Sequence, residues 1–335
     1  MKFTDLLNFD TLNFVRQSLT YAEQLRIEHE ARKIIFRAYS CAGGESMLDL
    51  FYRLTGSLIA KGIRVWVRVT GRRVRKDQAP WLNCPMGPAG QIGVEFYATL
   101  AEQQELTIEK SPDAGLLPDF DVLARDGFDP SQVNAGVRDF YEHTARFRLE
   151  AWSEAPLLTR FFLWGLTRFV SRQMDQLNFP VSSLELAGGM SSEVLPMTDR
   201  DGHRVYTGWS RCLVKSRQVI YTGLYSTERP GGDGDPCVKV SFPLPLGSAT
   251  VFLKPEMDAD GSFRLISSGR RFGDSGFYRM VEIDKDHWKV RYIRTLREFF
   301  HVYVDEQGTL RTDHLVKFLG LTALRLHYRL EQSHH

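Results

Sequence analysis

Gly269, Gly273 and Gly276 bracket Arg270, Arg271, Asp274 and Ser275, and Phe272, Phe277 and Tyr278 stand among them. Glycine lets a backbone turn tightly and approach a ligand closely. Paired arginines can grip a carboxylate or phosphate through two parallel hydrogen bonds, while Asp274 can orient one of them or serve as a base. The same residues also make an ordinary solvated loop closed by an Arg–Asp ion pair. Ser275 with Asp284 and His287 invites comparison with a serine hydrolase, in which a base activates the nucleophile and a carboxylate orients the base. The spacing argues against it: Gly276 follows Ser275 directly, so the Gly-x-Ser-x-Gly elbow is not met.

A second cluster runs from Arg138 to Arg146. On a helix Asp139 and His143 would share one face, and a carboxylate-oriented imidazole is a plausible general base. Glu193, beside Ser191 and Ser192 and following Gly188-Gly189, is a third acid/base candidate. The catalytic candidates are therefore Asp274, Glu193, Asp139 and His143. An Asp–His pair that merely stabilises a helix is the plainer alternative for the last two.

No metal or cofactor is expected. The Asp-x-x-Gly segments at Asp199, Asp258 and Asp305 resemble one another. A calcium loop starting at Asp258 would need Glu at Gly269, and one starting at Asp199 would need Glu at Ser210. They read as hairpin turns, where Asp and Gly tolerate positive φ. His301, His314 and His327 lie on the last three expected strands, and one residue of register decides whether they meet on one face. Four cysteines, Cys41, Cys84, Cys212 and Cys237, form no C-x-x-C pair, which fits a reducing cytoplasm; Cys84, before Pro85, is a candidate loop thiol.

The chain of 335 residues is 43% hydrophobic and 25% charged, an ordinary globular composition. A net charge of +2 points to no polyanionic partner, and nucleic acid is not expected. Locally, Arg64, Arg68, Arg72, Arg73, Arg75 and Lys76 form a basic patch interleaved with Trp66, which could meet anionic lipid headgroups. The first twenty residues carry Asp5 and Asp10 and lack the pattern of a secretory signal. The apolar stretch from Pro156 to Val170 is broken by Arg160 and Arg168 and is shorter than the roughly 20 residues of a spanning helix.

The elements that must position these residues divide near Pro180. Residues 1–180 read as mainly helical, with helices over Asp10 to Ala38, Glu45 to Ala60, Val94 to Gln104, Val133 to Trp152 and Pro156 to Leu177. One strand is expected there, Ile63 to Thr70, from the alternation of Ile63, Val65, Val67 and Val69 with Arg64, Trp66 and Arg68.

Residues 181–331 read as one antiparallel β domain. Its strands are expected at Leu184 to Met197, Arg204 to Val214, Val219 to Thr227, Cys237 to Pro243, Ala249 to Lys254 and Phe263 to Ser267. Five more follow at Phe277 to Glu282, Trp288 to Arg294, Arg297 to Val304, Leu310 to Phe318 and Ala323 to Leu330. Short turns force antiparallel pairing. So many strands in one sheet curl or close, because twist accumulates and closure removes exposed edges. The fold class is thus α+β, with a C-terminal barrel-like or strongly curved sheet. By strand number and spacing it resembles lipocalin-like barrels, without an accompanying family motif.

Such a container implies a pocket for an apolar or amphipathic small molecule, with Phe252, Phe272, Tyr278, Tyr292 and Tyr303 lining it and Arg270 and Arg271 fixing a polar end. Three functions fit. One is a cofactor-independent cyclase, isomerase or lyase; another is a non-catalytic carrier of lipid-like molecules with peripheral membrane contact; the third is an intracellular hydrolase.

Overall fold

The computed structural model of the protein describes residues 47–88, 92–154, 156, 176, 178, 186, 188–215, 217–232 and 234–332. The expected helix at 10–38, nearly all of that at 156–177, Cys41 and the boundary residue Pro180 lie outside them. In chain order the elements are α1 (Met47–Thr70), β1 (Arg72–Arg75), α2 (Phe96–Gln104), β2 (Thr107–Ile108), α3 (Ala135–Glu142), β3 (Phe147–Glu154), β4 (Met190–Thr198), β5 (Arg204–Leu213) and β6 (Val219–Glu228). They continue with β7 (Cys237–Leu244), β8 (Gly247–Met257), β9 (Phe263–Ile266), β10 (Gly276–Asp284), β11 (His287–Ile293), β12 (Leu296–Val304), β13 (Leu310–Phe318) and β14 (Leu321–Gln332).

All fourteen strands belong to one mainly antiparallel sheet, ordered β2-β4-β5-β6-β7-β8-β9-β12-β13-β14-β3 along its main path. The sheet branches at β8. Ser248 to Phe252 pair with β10, whereas Lys254 to Met257 pair with β9, so β10, β11 and β1 peel away as a side ribbon. Each of the eleven strands expected after Pro180 is present, and β1, β2 and β3 join the same sheet from earlier in the chain. No ladder joins β3 to β4 among the described residues, so the sheet is not closed.

Two of the three Asp-x-x-Gly hairpins are capped alike, whereas in the Asp258 hairpin the Ser262 amide donates to Asp260 Oδ1. Asp199 Oδ1 accepts from the amides of Asp201 and His203, and Asp305 Oδ1 accepts from those of Gln307 and Thr309. Gly202, Gly261 and Gly308 all take φ near +80°, the left-handed conformation that glycine adopts without a Cβ clash.

Two local expectations are corrected. Residues 63–70 are the last two turns of α1, not a strand. In isolation Ile63, Val65, Val67 and Val69 have period two. Ile59, Ile63 and Trp66 have helical spacing, however, and Val67 is fully buried where α1 packs on β10 and β11. The helix expected over Val133 to Trp152 stops at Glu142. Phe147, Leu149 and Ser153 are buried at alternating positions, and β3 pairs with β14 from Phe147↔Gln332 to Glu154↔Arg325. There the strand partner outweighs helix propensity.

Candidate functional site: a cavity within the sheet

Side-chain alternation gives every strand two faces, and the inner faces of β3 to β9 and β12 to β14 enclose one cavity. It offers about 90 Å³ to the centres of water-sized molecules, room for several waters or a small ligand. Leu149 on β3 and Met190 on β4, near opposite ends of the main path, both line it, so the sheet bends around it. Most of the wall is apolar: Leu149, Ile220, Val240, Val251, Leu253, Leu265 and Leu326.

Into this apolar wall project a few polar groups. Arg211 on β5 is 7% exposed and faces Tyr221 on β6 directly across the ladder. Its guanidinium lies 3.9 Å from the centroid of the Trp209 ring, 5.0 Å from Tyr328 and 5.2 Å from Tyr221, a cation–π cage. The Trp209 indole is itself held by donating to Ser192 Oγ at 2.7 Å. Arg211 Nε is buried without a hydrogen-bond partner, and no carboxylate pairs with the guanidinium among the described residues.

Burial works against the Arg211 charge, but Tyr221, Tyr328 and Tyr225 around it outweigh this and hold its pKa above the ordinary arginine value. Burial also raises the phenol pKa values of Tyr221, Tyr225 and Tyr328, so all three stay neutral. A second polar pair faces the same cavity from the neighbouring strands β12 and β13. Glu298 Oε1 lies 2.7 Å from His314 Nε2, both residues are buried, and the imidazole stacks on Phe300 at 3.9 Å between centroids.

The residues singled out from sequence lie elsewhere. Asp274 accepts the backbone amides of Arg270 and Arg271 at 2.8 and 3.1 Å and so closes its own loop; both arginine side chains are exposed. Phe252, Phe272, Tyr278 and Tyr292 do come together, but on the outer side of the sheet. There Trp81 packs edge-on against Phe252, Phe272 and Tyr278, with ring centroids 5.4 to 5.7 Å away. Phe252 stands between Val251 and Leu253, which line the cavity, so one residue of parity separates it from the interior. Tyr303 stacks on His301 at 4.8 Å, also away from the cavity.

The acid/base candidates are likewise dispersed. Glu193 pairs with Lys110 at 3.1 Å. The Asp139 carboxylate accepts from Gln332 and approaches Arg146, while His143 Nδ1 lies 3.2 Å from the Asp113 carbonyl, so no Asp139–His143 side-chain bond forms. His301 and His327 both stand opposite Asp313 in the ladder, whereas His314 points inward, and the three imidazoles do not converge. Cys84 is buried in the outer cluster. Arg211, Tyr221, Tyr225, Tyr328 and Glu298 were not singled out from the sequence. Their signal was parity: Arg211 shares the inward face of Trp209, and Tyr328 that of Leu326 and Leu330.

No family model matches the chain, and no solved structure matches it. The chain is similar to the uncharacterized membrane protein YndJ of Bacillus subtilis (strain 168), at 25% identity over 250 residues. The alignment covers 72% of this chain and 41% of that relative, so the chain spans less than half the relative's length. No helix among the described residues is long and apolar enough to cross a membrane, which says nothing of crossing by strands.

Proposed function

We propose that the protein binds an apolar or amphipathic small molecule in a barrel-like container, with the ligand's anionic or carbonyl end against Arg211. One observation carries this reading: a buried guanidinium, with an unpartnered Nε, in a mainly apolar cavity. The cage's rings and a hydrogen bond with Tyr328 offset part of the cost of that charge, but a buried N–H donor left unmet at Nε remains costly. A ligand carboxylate would supply the missing acceptor, while its chain lies among Ile220, Val240, Val251 and Leu253.

Glu298 and His314 favour a second reading, a cofactor-independent cyclase, isomerase or lyase. They place a carboxylate and an imidazole, the usual acid/base groups, beside the same ligand space. The carrier reading draws its membrane association from the name of the Bacillus relative. Placement in the cytoplasm belongs with these proposals.

Titration calorimetry of the full chain with octanoate and 1-octanol tests the binding reading. Octanoate should bind at one site and more tightly than the alcohol. Equal affinity, or no binding of either, refutes the role given to Arg211.

A further inference from the structure

Outside the cavity, the largest unexplained feature is the exposed face of α1. Leu58, Val65 and Val69 recur at helical spacing, and Ile59, Ile63 and Trp66 form the adjoining stripe. All six are exposed: Val69 to 73%, Leu58 to 67% and Val65 to 59%. The opposite side carries Val67, fully buried where α1 packs on β10 and β11. A helix that buries one side in its own protein and leaves an apolar stripe outward needs a second apolar medium.

The charges around that stripe say which. From Leu58 to Lys76 the chain carries seven lysines and arginines and no acidic residue. Arg73, Arg75 and Lys76 are neutralised by Asp284, Asp77 and Glu282. Lys61, Arg64, Arg68 and Arg72 have no carboxylate partner among the described residues, and neither does Arg291, which lies 5.5 Å above the Trp66 ring and donates to the Thr70 carbonyl. Gly71 lets the chain leave the helix tightly, since a Cβ there would meet the Val67 carbonyl at 2.5 Å, and β1 thereby brings Arg72 and Arg73 beside the helix end.

We propose that α1 is a membrane-docking element that lies in the interface of an anionic lipid surface. Leu58, Val65, Val69 and Trp66 enter the acyl boundary, and Lys61, Arg64, Arg68 and Arg72 meet the headgroups. Apolar area and basic flanks together define such interfacial helices. Trp66, with its apolar ring and polar N–H, suits the headgroup level. The proposal is independent of what occupies the cavity, so its failure would leave the octanoate titration untouched.

Flotation of the full chain with vesicles decides it, comparing phosphatidylcholine alone with phosphatidylcholine carrying about one third phosphatidylserine. Binding to the anionic vesicles, lost at high salt and accompanied by a blue shift of emission that Trp66→Phe removes, is the expected result. Replacing both Arg64 and Arg68 by Ser should weaken partitioning about thirtyfold, and Val65→Ser with Val69→Ser should abolish it. These side chains point outward, and unchanged octanoate affinity and circular dichroism would show that the variants fold. Binding to neither vesicle overturns the proposal, as does binding to both equally or partitioning that the variants retain. A wild-type dimer that the valine variant splits would assign the stripe to a second copy of the chain and overturn it as well.

Discussion

Replacing Arg211 by Met should weaken ligand binding while leaving the fold as stable as before, or more so. Met keeps most of the length of the side chain and removes only the charge and the planar fork. The folded protein loses cation–π contacts with Trp209, Tyr328 and Tyr221, together worth about 1.5–6 kcal/mol at roughly 0.5–2 each. It also sheds the desolvation penalty of a buried ion, which is several kcal/mol, and exchanging a buried charge for a well-packed apolar group is often stabilising by about 1–4 kcal/mol. Unfolding free energy should therefore stay level or rise by about 1–3 kcal/mol. Octanoate affinity should fall about 10- to 150-fold, from the roughly 1.5–3 kcal/mol of a charge-assisted hydrogen bond, with 1-octanol affinity nearly unchanged. Urea unfolding followed by far-ultraviolet circular dichroism gives the first quantity and calorimetry the second. A variant that loses more than about 2 kcal/mol of stability yet keeps wild-type octanoate affinity would refute the reasoning and make Arg211 a structural member of the aromatic cage.

Two further perturbations test the packing outside the cavity. Gly208→Ala would put a Cβ 2.7 Å from a ring carbon of Tyr97, which is fully buried and pinned by its hydroxyl to the Gly223 carbonyl at 3.0 Å. With no room to yield, the substitution should cost about 1–3 kcal/mol, read as a lower urea midpoint at unchanged slope. Lys239 is 1% exposed and donates to the Trp81 carbonyl at 2.9 Å and to the Asn83 carbonyl, tying the outer loop to β7. Lys239→Met leaves those buried acceptors unmet at about 1–3 kcal/mol each. Burial holds the Lys239 pKa below its ordinary 10.5. Between that lowered value and 10.5 the unfolded chain binds more protons than the folded one, so wild-type stability gains from rising pH there. In Lys239→Met this contribution should vanish, leaving a flatter profile of urea midpoint against alkaline pH.

The strands after Pro180 were legible because two local signals coincided, period-two alternation and Asp/Gly turn chemistry, and neither depends on distant partners. Leu326, Tyr328 and Leu330 against Arg325, His327 and Arg329 is the clearest case, and β14 keeps that division between inner and outer faces. Residues 63–70 misled because four β-branched residues at alternate positions also sit comfortably in a helix once Val67 has a surface to pack on. The site was less legible than the fold. A cluster of charges and glycines such as Gly269 to Gly276 stands out in a sequence, yet a turn needs the same residues, and Asp274 is spent on the loop's own amides. Arg211 is one of two arginines in β5, and only the pairing of β5 with β6 and the approach of β14 give it three aromatic neighbours.

The aromatic richness that suggested a pocket is divided between the two faces of the sheet. On β8, Val251 and Leu253 face the cavity while Phe252 supports the outer Trp81 cluster. On β5, Trp209 and Arg211 face inward while Gly208 receives Tyr97 on the other side. The cavity lining and much of the packing that stabilises the fold are thus written on alternate residues of the same strands. Arg211 and Gly208, three residues apart, should for that reason give opposite phenotypes: one loses affinity and keeps its stability, the other loses stability with its cavity walls intact. A sheet buried on one face alone could not separate them so sharply, because each core substitution would then reshape the cavity.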